Sequence, residues 1–108
     1  MKNNEAHYNK KTEGKPNVNK VYPRFIEEIA KAMDHGDVKY GYKNWHDYKD
    51  INELMSALGR HYYKCCNGEI LDKETMLNHL AQVGSNAMMI MYLIDNDIIK
   101  VEGLYYGK

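Results

Sequence analysis

"HLAQVGSNAMMIMYL" (His79–Leu93) is the stretch whose reading decides the fold. Its second half is apolar enough for pure core, and its first half places an imidazole, two amides and a hydroxyl in the same segment. Apolar residues recur at helical spacing from Met76 and Leu77 through Leu80, Val83, Ala87 and Met91 to Ile94. That spacing predicts a third helix from about Lys73 to Ile94, capped by Asp72, with a broad apolar face. Gly84 and Ala87 would let another helix come close. His79, Gln82 and Asn86 stand at i, i+3 and i+7, on one face of that helix. A buried polar group without a partner costs about 1–3 kcal/mol. The three residues are therefore either satisfied groups that fix helix register or one wall of a ligand site.

Upstream, the pattern predicts two more helices. Pro23 suits a first helical position. Phe25, Ile26, Ile29, Ala30 and Met33 follow helical spacing, and Gly36 reads as a stop near His35. "GDVKYGYKNWHDYKD" (36–50) has no sustained apolar period, yet its aromatics are too many to hang in water; it reads as an ordered loop. Asp50 and Glu53 have capping-box spacing. They predict a second helix to about Cys66 with Ile51, Leu54, Met55, Leu58 and Tyr62 inward, broken by "NGE" (67–69). The tail "DIIKVEGLYYGK" (97–108) is β-branched enough for a short strand. The expected architecture is mainly α: a compact three-helix domain over 21–96, with an ordered aromatic loop between the first two helices. A polar arm (1–20) precedes it and a short β-like tail (97–108) follows, the tail being a possible oligomer contact.

Composition narrows the class. A length of 108 residues predicts one domain. Fifteen basic and fifteen acidic side chains balance, which argues against a nucleic acid polymer or a membrane as partner. The first twenty residues are locally basic, a solvated tail or a phosphate-attracting arm. The two Cys, Cys65 and Cys66, are adjacent, so they form neither an unstrained disulfide nor a zinc-type spacing. No apolar leader opens the sequence, and the longest apolar run, Ala87–Ile94, is short of the ~20 residues a bilayer needs. These features favour a cytoplasmic protein. Short length and ten Tyr favour a homo-oligomer.

The remaining polar residues suit recognition. In the loop, Lys39, Tyr40, Asn44 and Trp45 mix cation, ring and amide. Arg60 and His61 follow on the second helix, with Lys64 a turn later. Rings can stack on a base, amides can read its edge, and cations can hold phosphate. Singly, each is as readily a surface or packing residue.

"GKP" (14–16), "YPRFIEEIA" (22–30), "KYGYKNW" (39–45), "LGRHYYKCCNGEILDKET" (58–75) and "HLAQVGSNAMMIMYL" (79–93) occur in that order. In this order they resemble the phage dATP/dGTP diphosphohydrolase N-terminal domain family. The resemblance covers about residues 14–94 and implies a mostly helical, nucleotide-handling fold of viral origin, working in the cytoplasm of an infected bacterium. It carries over onto Lys39, Tyr40, Gly41, Asn44, Trp45, Arg60, His61, Glu69, Asp72, Glu74, His79 and Asn86. Gln82 stands where the family usually has a second His, and Met76 where it has a Gly after the acidic stretch.

Gln82 can hydrogen-bond a base or ribose but does no acid–base work near neutral pH. A pyrophosphohydrolase needs Mg²⁺ and convergent carboxylates. Glu27 and Glu28 lack the second carboxylate of a helical pair, because Lys31 occupies its place. Glu69 and Asp72 fall at a helix break, where Asp72 has a capping task. The leading expectation is a protein that sequesters a small nucleotide or a nucleotide-derived signal, such as a cyclic nucleotide or an ADP-ribose derivative, countering host defence. Its ligand-binding residues would be Lys39, Tyr40, Asn44, Trp45, Arg60, His61, His79, Gln82 and Asn86. Tyr40 and Trp45 would stack, the amides would read polar edges, and Lys39, Arg60 and His61 would meet phosphate. No cofactor or metal is expected on this reading. The alternative is a Mg²⁺-dependent (d)NTP pyrophosphohydrolase using Glu28, Glu69, Asp72 and His79. A third is a protein–protein inhibitor built on the same scaffold.

Overall fold

The computed structural model describes residues 14–103. Three helices carry the chain: α1 (Pro23–Tyr40), α2 (Ile51–Cys66) and α3 (His79–Asp95). A 3-10 turn, Val18–Lys20, precedes them. Both α1 and α2 pack on α3, and α2 does so most extensively. Their backbones do not pack on each other, so a cleft opens between α1 and α2 with α3 as its floor. The fold is mainly α, as the sequence pattern requires.

The helix ends follow local chemistry. Pro23 sits in the first turn of α1, which runs through Gly36 and ends only at Gly41. Gly36 costs roughly 1 kcal/mol of helix propensity but breaks nothing. Gly41 does end the helix: its φ of 99° is open to glycine, and its N–H donates to Asp37 O at 2.8 Å. The expected stop at Gly36 is thus corrected, and the aromatic loop begins after Tyr40. Asp50 caps α2 by accepting from Glu53 N at 3.1 Å. At the other end Gly68 (φ 88°) closes a Schellman turn, with Glu69 N donating to Lys64 O at 3.0 Å and Gly68 N to Cys65 O at 2.9 Å.

The third helix starts six residues later than the spacing suggests. Residues 71–78 turn back on themselves through a Leu71–Asn78 antiparallel bridge. Met76 takes φ 62°, outside the helical region. Asp72 does cap, but it caps this turn: its Oδ1 accepts from Glu74 N and Thr75 N, each at 2.9 Å. Asn78 caps the helix instead, accepting from Leu80 N at 2.8 Å. Beyond α3, Asp97 adopts φ 58° and Ile98 N returns to Leu93 O at 2.9 Å. This Schellman-type reversal tucks Ile99 into the core. Residues 96–103 contain no strand, and the remainder of the expected β-like tail, 104–108, lies outside the described residues, as does most of the polar arm.

The core is small. Leu54, Ile90, Leu93 and Ile99 form it, with Trp45, Ile51, Leu58, Met89 and Tyr92 against them. Met55 and Tyr62, expected inward on α2, are exposed. On α3 three polar residues share the buried side with Ala81, Ile90 and Leu93. His79, Ser85 and Asn86 are buried, whereas Leu80, Met88 and Met91 are exposed. The reason is the cleft: α3 turns its polar stripe toward α2 and the space beside it. Against α1 it offers small residues. A Cβ on Gly84 would lie 2.8 Å from Phe25 Cζ and 3.0 Å from Ile29 Cδ1, so the close approach depends on this glycine.

Candidate functional site

The cleft holds about 590 Å³, inside the ~300–1,000 Å³ range of small-molecule sites. Helix α1 gives it Met33, Gly36, Asp37, Lys39 and Tyr40, and the aromatic loop gives Asn44, Trp45 and Tyr48. Helix α2 contributes Glu53, Arg60 and His61, and the turn before α3 contributes Asp72 and Thr75. Gln82, Ser85, Asn86 and Met89 form the floor. Eight of the nine ligand-binding residues expected from sequence therefore line one space. The ninth, His79, stands directly behind His61.

Their present engagements differ. Asn86 Nδ2 donates to Gln82 O at 2.8 Å, and Ser85 Oγ donates to the same carbonyl at 3.0 Å. Asn44 Nδ2 donates to Gly41 O at 2.7 Å, which stiffens the loop. These amide donors are used locally. Gln82 Nε2 is different: it is buried and has no hydrogen-bond partner. An orphaned buried donor in a cleft wall is costly unless something else completes it.

The cations are less free than their spacing suggests. Arg60 Nη1 donates to Ser56 Oγ at 2.9 Å, and Nη2 lies 3.6 Å from Glu53 Oε1. Lys39 Nζ rests 5.2 Å from the centroid of the Tyr40 ring. Trp45 is largely a packing residue. Its ring meets Tyr92 edge-on at 5.0 Å and tilts against His46 at 4.2 Å. Tyr40 is the open ring, 65% exposed.

Behind His61 lies a chain of polar contacts. His61 Nδ1 is 2.9 Å from His79 Nδ1, and His79 Nε2 is 2.9 Å from Glu69 Oε2 and 3.9 Å from Asp72 Oδ2. His79 is 2% exposed. Glu69 is there because the Schellman turn at Gly68 launches it toward α3, and Asp72 because the capped turn holds it. The hydrogen bond from His79 keeps the Glu69 carboxyl below the usual range. The amides of Thr75 and Glu74 do the same for Asp72. Burial, then His79 and Arg60, push the His61 imidazole down.

The ligand atoms of Glu69, Asp72 and His79 all lie within 4.8 Å of one another. One buried imidazole with two carboxylates suits Zn²⁺ or Mn²⁺ better than Mg²⁺, which prefers oxygen ligands and water. The donor set does not fit the magnesium site that the hydrolase expectation requires. Glu28 does not join the group; it pairs with Lys31 at 2.7 Å on α1. Sequence reasoning also missed Asp37, Glu53 and Tyr48 as cleft residues. Only the extension of α1 past Gly36 places Asp37, and the Asp50 cap fixes where Glu53 points.

The family model described as dATP/dGTP diphosphohydrolase, N-terminal, matches residues 5–101. The chain belongs to that family. A dATP/dGTP diphosphohydrolase of Salmonella phage PMBT28 is 37% identical over 84 residues, covering 78% of this chain and 29% of that protein. The chain thus spans less than a third of that relative's length. No solved structure matches. Among the described residues no helix is long and apolar enough to cross a membrane. Within the dATP/dGTP diphosphohydrolase N-terminal family, Met76 now has a structural meaning: the position where the family's Gly is expected has φ 62°.

Proposed function

We propose that this member of the family binds a nucleotide or nucleotide-derived molecule in the α1–α2 cleft and holds it without turnover. The observation that carries the reading is the buried, partnerless Gln82 Nε2 in the cleft wall. Turned from its buried position toward the cleft, that amide would donate to a ligand acceptor such as a base carbonyl, ring nitrogen or ribose oxygen. Tyr40 offers a face for stacking, and Lys39 lies beside it for charge. The carboxylates support binding over chemistry: Glu69 is engaged by His79, and Asp72 by backbone amides. A viral protein of this kind would act by lowering the free concentration of a host signal. Homo-oligomerisation through Leu80, Met88 and Met91, exposed on α3, is part of the same reading.

A metal-dependent pyrophosphohydrolase is the second reading. One observation favours it, the Glu69–Asp72–His79 group at the cleft's edge, and the donor set speaks against magnesium. A thermal-shift screen with nucleotides, cyclic dinucleotides and ADP-ribose derivatives tests the first reading. Ligands that raise the melting temperature of the wild type and lose that effect in Gln82→Met support it. A screen with no shift refutes it.

A further inference from the structure

We propose that the cleft selects its ligand by charge: Asp37 and Glu53 turn away chains that end in a terminal phosphate, and the nucleotide held there carries only internal, singly charged phosphates. Cyclic nucleotides, cyclic dinucleotides and ADP-ribose derivatives have that character, and nucleoside triphosphates do not. This rests on the cleft being a ligand site and narrows what enters it. The charged side chains of the lining are Asp37, Glu53 and Asp72 against Lys39 and Arg60. Apart from the imidazoles of His35 and His61, acid therefore outnumbers base in the wall. A triphosphate site has the reverse composition, with cations or backbone N–H groups converging on the phosphates.

The placement of these groups sharpens the count. Arg60 is not a free cation: Ser56 Oγ takes Nη1 at 2.9 Å, and Glu53 Oε1 stands 3.6 Å from Nη2. An anion that approaches Arg60 meets the Glu53 carboxylate at the same place. Asp37 makes no ion pair or side-chain hydrogen bond among the described residues, so its charge is uncompensated in the α1 wall. Lys39, two residues further along α1, has no carboxylate partner among the described residues, and its Nζ rests 5.2 Å from the Tyr40 ring centroid. A nucleotide stacked on Tyr40 brings its phosphate near this ammonium. A phosphodiester carries one negative charge, which one ammonium offsets. A terminal phosphate carries about −1.5 to −2 at pH 7, and the phosphates before it add to that. Two cations, one of them shared with Glu53, leave a surplus. The surplus falls against Asp37 and Glu53, and like charges brought together oppose binding.

Titration calorimetry in chelator-treated buffer of low ionic strength tests the selection. The probes are 3′,5′-cyclic AMP, cyclic di-AMP and ADP-ribose on one side, and dATP and dGTP on the other. At least one of the first group should bind roughly tenfold tighter than either triphosphate. Glu53 and Arg60 are both more than half exposed, so added salt should shrink that preference. Asp37→Asn and Glu53→Gln each keep the size of the side chain and remove its charge. Each should raise triphosphate affinity several-fold, with a smaller change for the singly charged ligand. A triphosphate that binds the wild type as tightly as the best of the first group overturns charge selection and leaves the binding reading intact. So does a preference that survives both high salt and the two substitutions, because it then belongs to shape. If no probe binds, the binding reading fails and charge selection falls with it.

Discussion

His61 on α2 and His79 on α3 face each other through their Nδ1 atoms at 2.9 Å, and this contact joins the cleft to the carboxylates behind it. Neither side chain makes sense as packing alone. His79 is buried among polar partners at the start of the most apolar helix, and His61 stands between it and the open cleft. The two helices that pack best are thus held together at one end by polar contacts and at the other by Leu54, Ile90 and Leu93.

Gln82 gives the sharpest mutational test. Its Nε2 is buried without a partner, at a cost of about 1–3 kcal/mol. Gln82→Met keeps the length and removes the donor. Stability by urea denaturation should rise by about 1 kcal/mol, while ligand affinity should fall roughly tenfold. Opposite signs in the two measurements mark a residue retained for binding. A loss of stability with unchanged affinity would assign Gln82 to the core.

Met76 tests the family comparison. At φ 62° a residue with a Cβ is strained, at about 1–2 kcal/mol for the left-handed region. The side chain is exposed, so glycine would lose little packing. Met76→Gly should therefore stabilise the protein by roughly 1 kcal/mol, or several degrees in Tm, less what the freer unfolded chain takes back. A destabilised variant would show that Met76 makes a contact worth more than its strain.

Trp45 and Tyr40, both expected to stack on a ligand, should separate. Trp45 packs on Tyr92 and the core, so Trp45→Ala should cost about 3 kcal/mol of stability and lower affinity only as a consequence. Tyr40 is open, so Tyr40→Ala should leave Tm nearly unchanged and weaken binding by about 1–3 kcal/mol. Equal affinities for wild type and Tyr40→Ala would remove the stacking face.

The pH dependence has a determined sign. His61 is held below its ordinary value, mainly by burial. Below about pH 6.5 the unfolded chain takes up a proton there that the folded protein refuses, so stability falls as pH falls. Glu69 and Asp72 are depressed by hydrogen bonds from His79 and from backbone amides. Their contribution is present above about pH 4.5 and is lost on acidification through their folded values. Tm should drop in two stages between pH 7 and pH 3, and His61→Asn should flatten the first. A first stage that survives in His61→Asn would place it on another group.

Much of the fold was legible because its signals are local. Pro23, the Asp50–Glu53 cap and the "NGE" break each fix a helix end through contacts within a few residues. The candidate site was legible for a similar reason: the mixed polar residues had no use on an apolar helix, and they converge on one cleft. What the pattern did not carry was tertiary. Gly36 and Gly41 are the same letter, and only the φ of 99° at Gly41 separates a stop from a tolerated residue. Leu80 and Met91 have core spacing, yet the buried side of α3 is taken by Ala81, Ile90 and Leu93 together with His79, Ser85 and Asn86, and it leaves them out. Glu28 and Glu69 look alike as candidate carboxylates until the turn at Gly68 brings one to His79 and Lys31 takes the other.

Sequestration and hydrolysis part company in one measurement. The protein is incubated with a nucleotide that raises its Tm, in the presence of Mg²⁺ or Mn²⁺, separated from free ligand, heat-denatured, and the released small molecule analysed. Recovery of the intact ligand near one equivalent per site is the result expected of a protein that binds and does not turn over. A monophosphate with pyrophosphate in its place would contradict sequestration and make the Glu69–Asp72–His79 group the centre of an enzyme.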